Sequence, residues 1–133
     1  NTDHYPATLK LNSLKNIHYI ENIKIRAVKV KHGLIDSNCY IINDKCAYAP
    51  DVSKIFSKDY KYFWKLKYLV IDCLRYKWHP SHFNLENVLS FIKEVKPKKT
   101  ILTNMNNEID YNEIKSIIPK NVAPAYDGMS VNL

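Results

Sequence analysis

Residues 68–85 read Tyr68-Leu-Val-Ile-Asp-Cys-Leu-Arg-Tyr-Lys-Trp-His-Pro-Ser-His-Phe-Asn-Leu85, and the order of residue types in this stretch decides the fold class. It opens on a nearly continuous apolar run rich in β-formers, Tyr68 to Leu74, the pattern of a buried strand. A polar loop with His79, Pro80 and His82 follows. Asn84 then suits an N-cap, and Leu85, Val88, Leu89, Ile92 and Val95 recur at helical spacing until Pro97 stops the helix. Thr100-Ile-Leu-Thr103 is a second buried strand. Strand, helix and strand in this order predict a mixed α/β layer protein.

Upstream, Ile23 to Lys31 alternates apolar and basic residues, a strand of period two that ends at His32-Gly33. Its apolar face slips at Ala27–Val28, which predicts either a bulge or burial on both sides. Cys39–Ile42 and Cys46–Ala49 flank the polar turn Asn43-Asp44-Lys45, a hairpin signal, and the second strand runs into Pro50-Asp51. Ser53 to Lys67 holds one or two short helical turns, and residues 1–16 read as an extended lead-in. Downstream, Asp110 to Ile118 predicts a short amphipathic helix with Ile114, Ile117 and Ile118 as its stripe. Val122–Tyr126, the turn Asp127-Gly128 and Met129–Val131 predict a closing hairpin.

Composition narrows the function classes. The 133 residues are room for one domain, spanning 1–133, and 46% apolar with 25% charged residues is a globular balance. Gly33 and Gly128 are the only glycines, which excludes a P-loop and a G-x-G-x-x-G dinucleotide cradle. No apolar run reaches membrane-spanning length, and no signal peptide is visible. Cys39, Cys46 and Cys73 form no C-x-x-C pair; they read as buried small hydrophobes in a reducing, cytoplasmic setting. The formal charge is +7, and residues 54–67 interleave five Lys with Tyr60, Tyr62, Phe63 and Trp64, a pattern that can grip phosphates and stack bases. Against a dedicated nucleic-acid binder, Lys, Asn, Ile and Tyr are abundant throughout, and Arg26 and Arg75 are the only arginines.

The polar residues fall where strands end. His32, Asp51, the pair His79 and His82, and the pair Asn104 and Asn107 each follow a predicted strand. If those strands run roughly parallel in one layer, these residues share its carboxyl edge, where ligand sites of open α/β sheets gather. Taken singly, each is an ordinary turn or cap residue. Together, two imidazoles and a carboxylate are a donor set for a divalent metal.

At these residues the chain resembles the C-terminal half of metallo-β-lactamase-fold hydrolases, above all the metal-dependent phosphodiesterases related to phosphoribosyl cyclic phosphodiesterase and, more distantly, tRNase Z. The resemblance is carried by Val30–Gly33, Tyr48-Ala-Pro-Asp-Val-Ser53, Ile71–Leu85, Ile101-Leu-Thr-Asn-Met-Asn-Asn107 and Ala125-Tyr-Asp-Gly-Met129, in the family's order over about residues 20–133. It implies half of an αββα sandwich: a mixed sheet with flanking helices. It implies that His32 is a metal ligand, that Asp51 is the carboxylate bridging two metals, zinc or manganese, and that His82 is the proton donor to the leaving group of a phosphodiester. His79 lies in the same motif with an accessory role. Such a site activates water between two metals about 3.5–4 Å apart.

Two departures stand against a complete site. The fifth motif of the family carries His where this chain has Asn104 and Asn107, and an amide oxygen is a weak ligand for zinc. The H-x-H-x-D-H signature that supplies most ligands of the first metal is absent; Asn1-Thr-Asp-His4 resembles only its tail, and Tyr5-Pro-Ala-Thr-Leu9 resembles a much later stretch. The expectation is a hydrolase half, impaired alone, which works with the missing N-terminal half or pairs with itself as a homodimer. The alternative is a non-catalytic interaction module built on the same half-fold.

Overall fold

The computed structural model describes residues 12, 13 and 15–133. The lead-in and the Asn1–Leu9 resemblances lie outside the described residues. Seven strands form one sheet in chain order: β1 Ile17–Ile20, β2 Ile23–His32, β3 Ile35–Ile42, β4 Cys46–Ala49, β5 Tyr68–Asp72, β6 Lys99–Thr103 and β7 Val122–Pro124. The connections are a 3-10 helix at Ser57–Tyr62 and two α-helices, α1 Leu85–Val95 and α2 Tyr111–Ile117. Strands β1 to β4 pair antiparallel, and β4 to β7 pair parallel. Since β3 reverses between β2 and β4, strands β2, β4, β5, β6 and β7 all point the same way, and their carboxyl ends share one edge.

The helices build the core on one face of the sheet. Val28, Val30, Cys39, Ile41, Ala47, Ala49, Leu69, Ile71, Leu102 and Val122 join Val88, Phe91 and Val95 of α1 and Ile114 of α2 in a single buried cluster. Tyr60, Phe63 and Phe83 each meet the ring of Phe91 edge-on or nearly so, which pins the 3-10 segment to α1. Helix α1 begins as expected: Asn84 accepts from the Asn87 amide and Asn87 returns the bond, a reciprocal cap. Lys96, at φ 50°, ends it in the left-handed conformation one residue before Pro97. The three cysteines are buried.

Strand β2 has no bulge: its pairing with β3 is unbroken from Ile25↔Ile42 to His32↔Ile35. The slip in its pattern reflects a change of face: Val28 and Val30 are buried in the core, while Ile25 lies on the other side of the sheet and is only half-buried. Three expectations fail. Strand β1 has no counterpart in the sequence reading. Of the stripe expected on α2, Ile114 is buried and Ile118 at the C-cap packs against the core, but Ile117 turns away and is 57% exposed. The closing hairpin does not form. The turn at Asp127-Gly128 is made, with the Met129 amide donating to the Tyr126 carbonyl at 3.0 Å. Val122–Pro124 pairs with β6 instead, in parallel, and the residues after the turn return toward β5, where Lys67 Nζ donates to the Asn132 carbonyl.

Candidate metal centre

Backbone and side-chain hydrogen bonds pull the carboxyl edge together. Past β4 the chain crosses to β2, where Lys31 and Lys54 form an isolated antiparallel bridge. The Ser53 hydroxyl accepts from the Gly33 amide at 2.9 Å and donates to the Lys31 carbonyl at 3.2 Å. Gly33 is required here twice. Its φ is +62°, and a Cβ on it would stand 2.6 Å from Ser81 Oγ. Its bareness lets the 79–82 loop close on the end of β2, so that His32 Nδ1 reaches the Ser81 carbonyl at 2.7 Å. The Val52 backbone joins the remaining pieces: its amide donates to Asp72 Oδ2 at 3.2 Å, and its carbonyl accepts from the Phe83 amide at 2.6 Å.

This edge brings three of the expected residues to one point. One ligand atom each from His32, Asp51 and His82 lies within 4.8 Å of the others, and all three residues are half-buried. The rings of His32 and His82 meet edge-on with centroids 4.5 Å apart. His79 stands beside them, its centroid 5.3 Å from that of His82. Partial burial, followed by Arg75 and the other two imidazoles, holds the His79 pKa below its ordinary value. The two asparagines do not join the trio in the same way. Asn104, at φ 58°, donates its amide nitrogen to the Pro50 carbonyl and so braces the segment that carries Asp51. Asn107 is exposed on the turn after β6.

The sequence reading gave Asp72 no role. It is fully buried at the end of β5, and its Oδ2 lies 2.6 Å from His82 Nδ1. Burial pushes its pKa up to about 6, against the opposing pull of the Val52 amide and His82. Its Oδ1 is buried with no partner among the described residues. The signal was present: an acid inside an otherwise apolar strand must find a hydrogen-bonding partner or lose its charge.

Both imidazoles are thus tethered through Nδ1, one to a carbonyl and one to a carboxylate, which leaves each Nε2 free. Tethers of this kind fix the ring orientation of metal-ligating histidines. Two imidazole nitrogens and one carboxylate oxygen fit a divalent cation. The basic segment at 54–67 is occupied differently. Lys54 and Lys58 lie over the Phe56 ring, Lys61 over Tyr62 and Lys65 over Trp64, all within 5.9 Å.

Neither a family profile nor a curated protein matches the chain at significance. Solved structures do. The chain is similar to a diphosphatase of the PhnP family, with a TM-score of 0.89 at 26% identity over 93% of this chain and 49% of that one. It is similar in fold to human tRNase Z, short form, with a TM-score of 0.66 at 16% identity over 88% and 46% of the two chains. It is similar in fold to Zn(2+)-bound PqqB from Methylobacterium extorquens, with a TM-score of 0.72 at 12% identity over 92% and 55%. In each case the chain spans about half the length of the structure it matches. Among the described residues, no helix is long and apolar enough to cross a membrane.

Proposed function

We propose, for a chain that folds as about half of a metallo-β-lactamase-fold hydrolase, that it is the metal-holding portion of a phosphodiester hydrolase and is impaired when alone. The observation that carries this reading is the convergence of His32, Asp51 and His82 from three separate strand ends. In it, His32 and the Asp51 carboxylate would hold a divalent cation, zinc or manganese, which when bound would supply Lewis acidity at a phosphoryl group. His82 presents Nε2 to the same point and gives a proton to the leaving oxygen. The buried Asp72 carboxylate keeps the His82 ring in place and balances the charge it carries while protonated. Asn104 holds the Pro50–Asp51 segment in register through the Pro50 carbonyl. The ligand set for a second metal is short, since amides stand at 104 and 107.

The spacing favours one other reading: with all three ligand atoms inside 4.8 Å, His82 would serve as third ligand rather than proton donor. Elemental analysis after zinc or manganese loading, with bis(p-nitrophenyl) phosphate as reporter of turnover, tests both. The expected result is about one retained ion per chain and no turnover above buffer. An ion retained by His82→Ala supports the donor role, and its loss supports the ligand role. Failure of the unaltered chain to hold an ion overturns the proposal, and turnover by the chain alone overturns its impairment.

A further inference from the structure

The basic segment that the proposed function leaves unused keeps its charge uncancelled. Lys54 and Lys58 rest on the Phe56 ring, Lys61 on Tyr62 and Lys65 on Trp64, and none of the four pairs with a carboxylate among the described residues. An aromatic face orients a cation without neutralising it. Arg26 joins them from β2. Two residues before Val28 on the strand, it shares the helix-covered face, and its guanidinium lies 4.7 Å from the centre of the Tyr62 ring. Arg26 Nε is buried without a hydrogen-bond partner, and no acid pairs with the group among the described residues. Its terminal nitrogens are not buried in this way, so they are the ones left to meet a ligand. A cavity of about 280 Å³ opens here between β2 and the 3-10 segment, with Asn16, Arg26, Lys58, Asp59 and Tyr62 on its wall. Lys29 borders it too, but its amine is taken by Asp36 at 3.3 Å. Pockets that enclose drug-sized ligands begin at about 300 Å³, so this one suits a small ion.

We infer that this cavity binds a phosphate group that bears a proton, as inorganic phosphate or a phosphomonoester, with Arg26 and Lys58 as donors and Asp59 as the acceptor of its hydroxyl. The guanidinium fork matches two phosphate oxygens, and the lysine adds a point charge beside them. Asp59 gives the site its selectivity. It is the one acid on the wall and pairs with no cation among the described residues. A carboxylate beside two cations repels an anion whose oxygens are all bare, and accepts a hydrogen bond from one that keeps a hydroxyl. A phosphomonoester sheds its last proton at a pH of about 6, so its protonated form is within reach near neutral pH. Sulfate and phosphodiesters have no such proton there, so the same carboxylate turns away sulfate and the backbone of a polynucleotide. The site is separate from the metal centre and does not rest on the proposed function. Arg26 stands six residues before His32 on β2, on the order of 20 Å along the strand, too far for one phosphate to touch both.

The test is isothermal titration of the full chain with sodium phosphate, at fixed ionic strength and with EDTA present so that no metal-bound phosphate contributes. Saturable one-to-one binding is expected, with sodium sulfate and dimethyl phosphate at least about tenfold weaker. Glycerol 1-phosphate tells the two sources apart. An affinity equal to that of inorganic phosphate marks a site open to monoesters, and a much lower one marks a site closed around the free ion; both are forms of the inferred ligand. Arg26→Gln should lower the phosphate affinity at least about tenfold, and Lys58→Gln, at an exposed position, about three- to tenfold, with unchanged circular dichroism spectra. Asp59→Asn should bring sulfate up toward phosphate. His32→Ala should leave phosphate binding unchanged. Where Arg26→Gln disturbs folding, Lys58→Gln and Asp59→Asn decide. Equal affinity for phosphate and sulfate, the absence of saturable binding, full affinity in the folded Arg26→Gln and Lys58→Gln chains, or loss of binding in His32→Ala overturns the inference.

Discussion

The two tethered histidines differ in what holds them. His32 donates to the backbone carbonyl of Ser81, a neutral group fixed by the loop that Gly33 admits. His82 faces the carboxylate of Asp72, a group buried in the sheet whose ionisation burial resists. A backbone carbonyl orients a ring without adding charge beside it, an arrangement that suits a metal ligand. A carboxylate behind a ring serves a metal ligand equally well, and in the proposed donor role it would also balance the charge of a proton carried to a leaving group. On the proposed reading, one edge of one sheet would offer two different chemistries from the same side chain, the difference lying in the residue behind each ring.

The largest expected effect is on metal affinity. His32→Ala should weaken zinc binding at least 100-fold in a competition titration, while Asp72→Asn, acting one residue further back, should weaken it no more than about 10-fold. Equal losses would erase the distinction between the arms. The second effect is on stability. The folded pKa of Asp72 is raised, so its contribution is fully present below the ordinary value of 3.8 and is lost as the pH rises through about 6. Urea unfolding of the metal-free protein should show roughly 2 kcal/mol less stability at pH 7 than at pH 4 from this group. Asp72→Asn should flatten that window, and an unchanged slope would place the cost elsewhere.

The third acts on the other arm. Gly33→Ala forces a side chain into a positive φ and against Ser81 Oγ, and should cost about 1–2 kcal/mol or more together with part of the metal affinity. Adding Ser81→Ala should return the part due to contact and leave the part due to φ. The smallest effect belongs to the residue between the arms. Asn104→Ala should lower stability by about 1 kcal/mol through the lost Pro50 bond. Asn104→His should lose the same bond, and a gain in zinc stoichiometry would show that the amide stands at a latent ligand position.

The trio at the edge was legible because His32 and Asp51 stand at or just past the ends of strand-like runs and His82 lies in the loop after another, and runs of that kind end where sheets end. The β3–β4 hairpin and α1 were legible from local chemistry, the polar turn at 43–45 and the Asn84 cap. Asp72 was not, because an apolar run with one acid reads as strand and gives no hint of which distant ring the acid meets. The closing hairpin misled for a related reason. The Asp127-Gly128 turn is genuine local chemistry, but the pairing of β7 with β6 joins residues about twenty apart, Thr100 to Val122, and no local pattern announces it. The end of β1 was hidden by its proximity to the lead-in and by the absence of any strict alternation in Ile17–Ile20.

The backbone of Val52, bonded to both Asp72 and Phe83, ties the stretch after β4 to the strand and the loop that frame the site. The three candidate ligands come from positions 32, 51 and 82 and meet only once those ties exist. Closing such separated stretches is slow and entropically costly, so the candidate site is expected to be among the last parts of the molecule to assemble. An ion captured there is expected to act as a brake on unfolding rather than a seed for folding, lengthening the lifetime of the native state while leaving the refolding rate nearly unchanged.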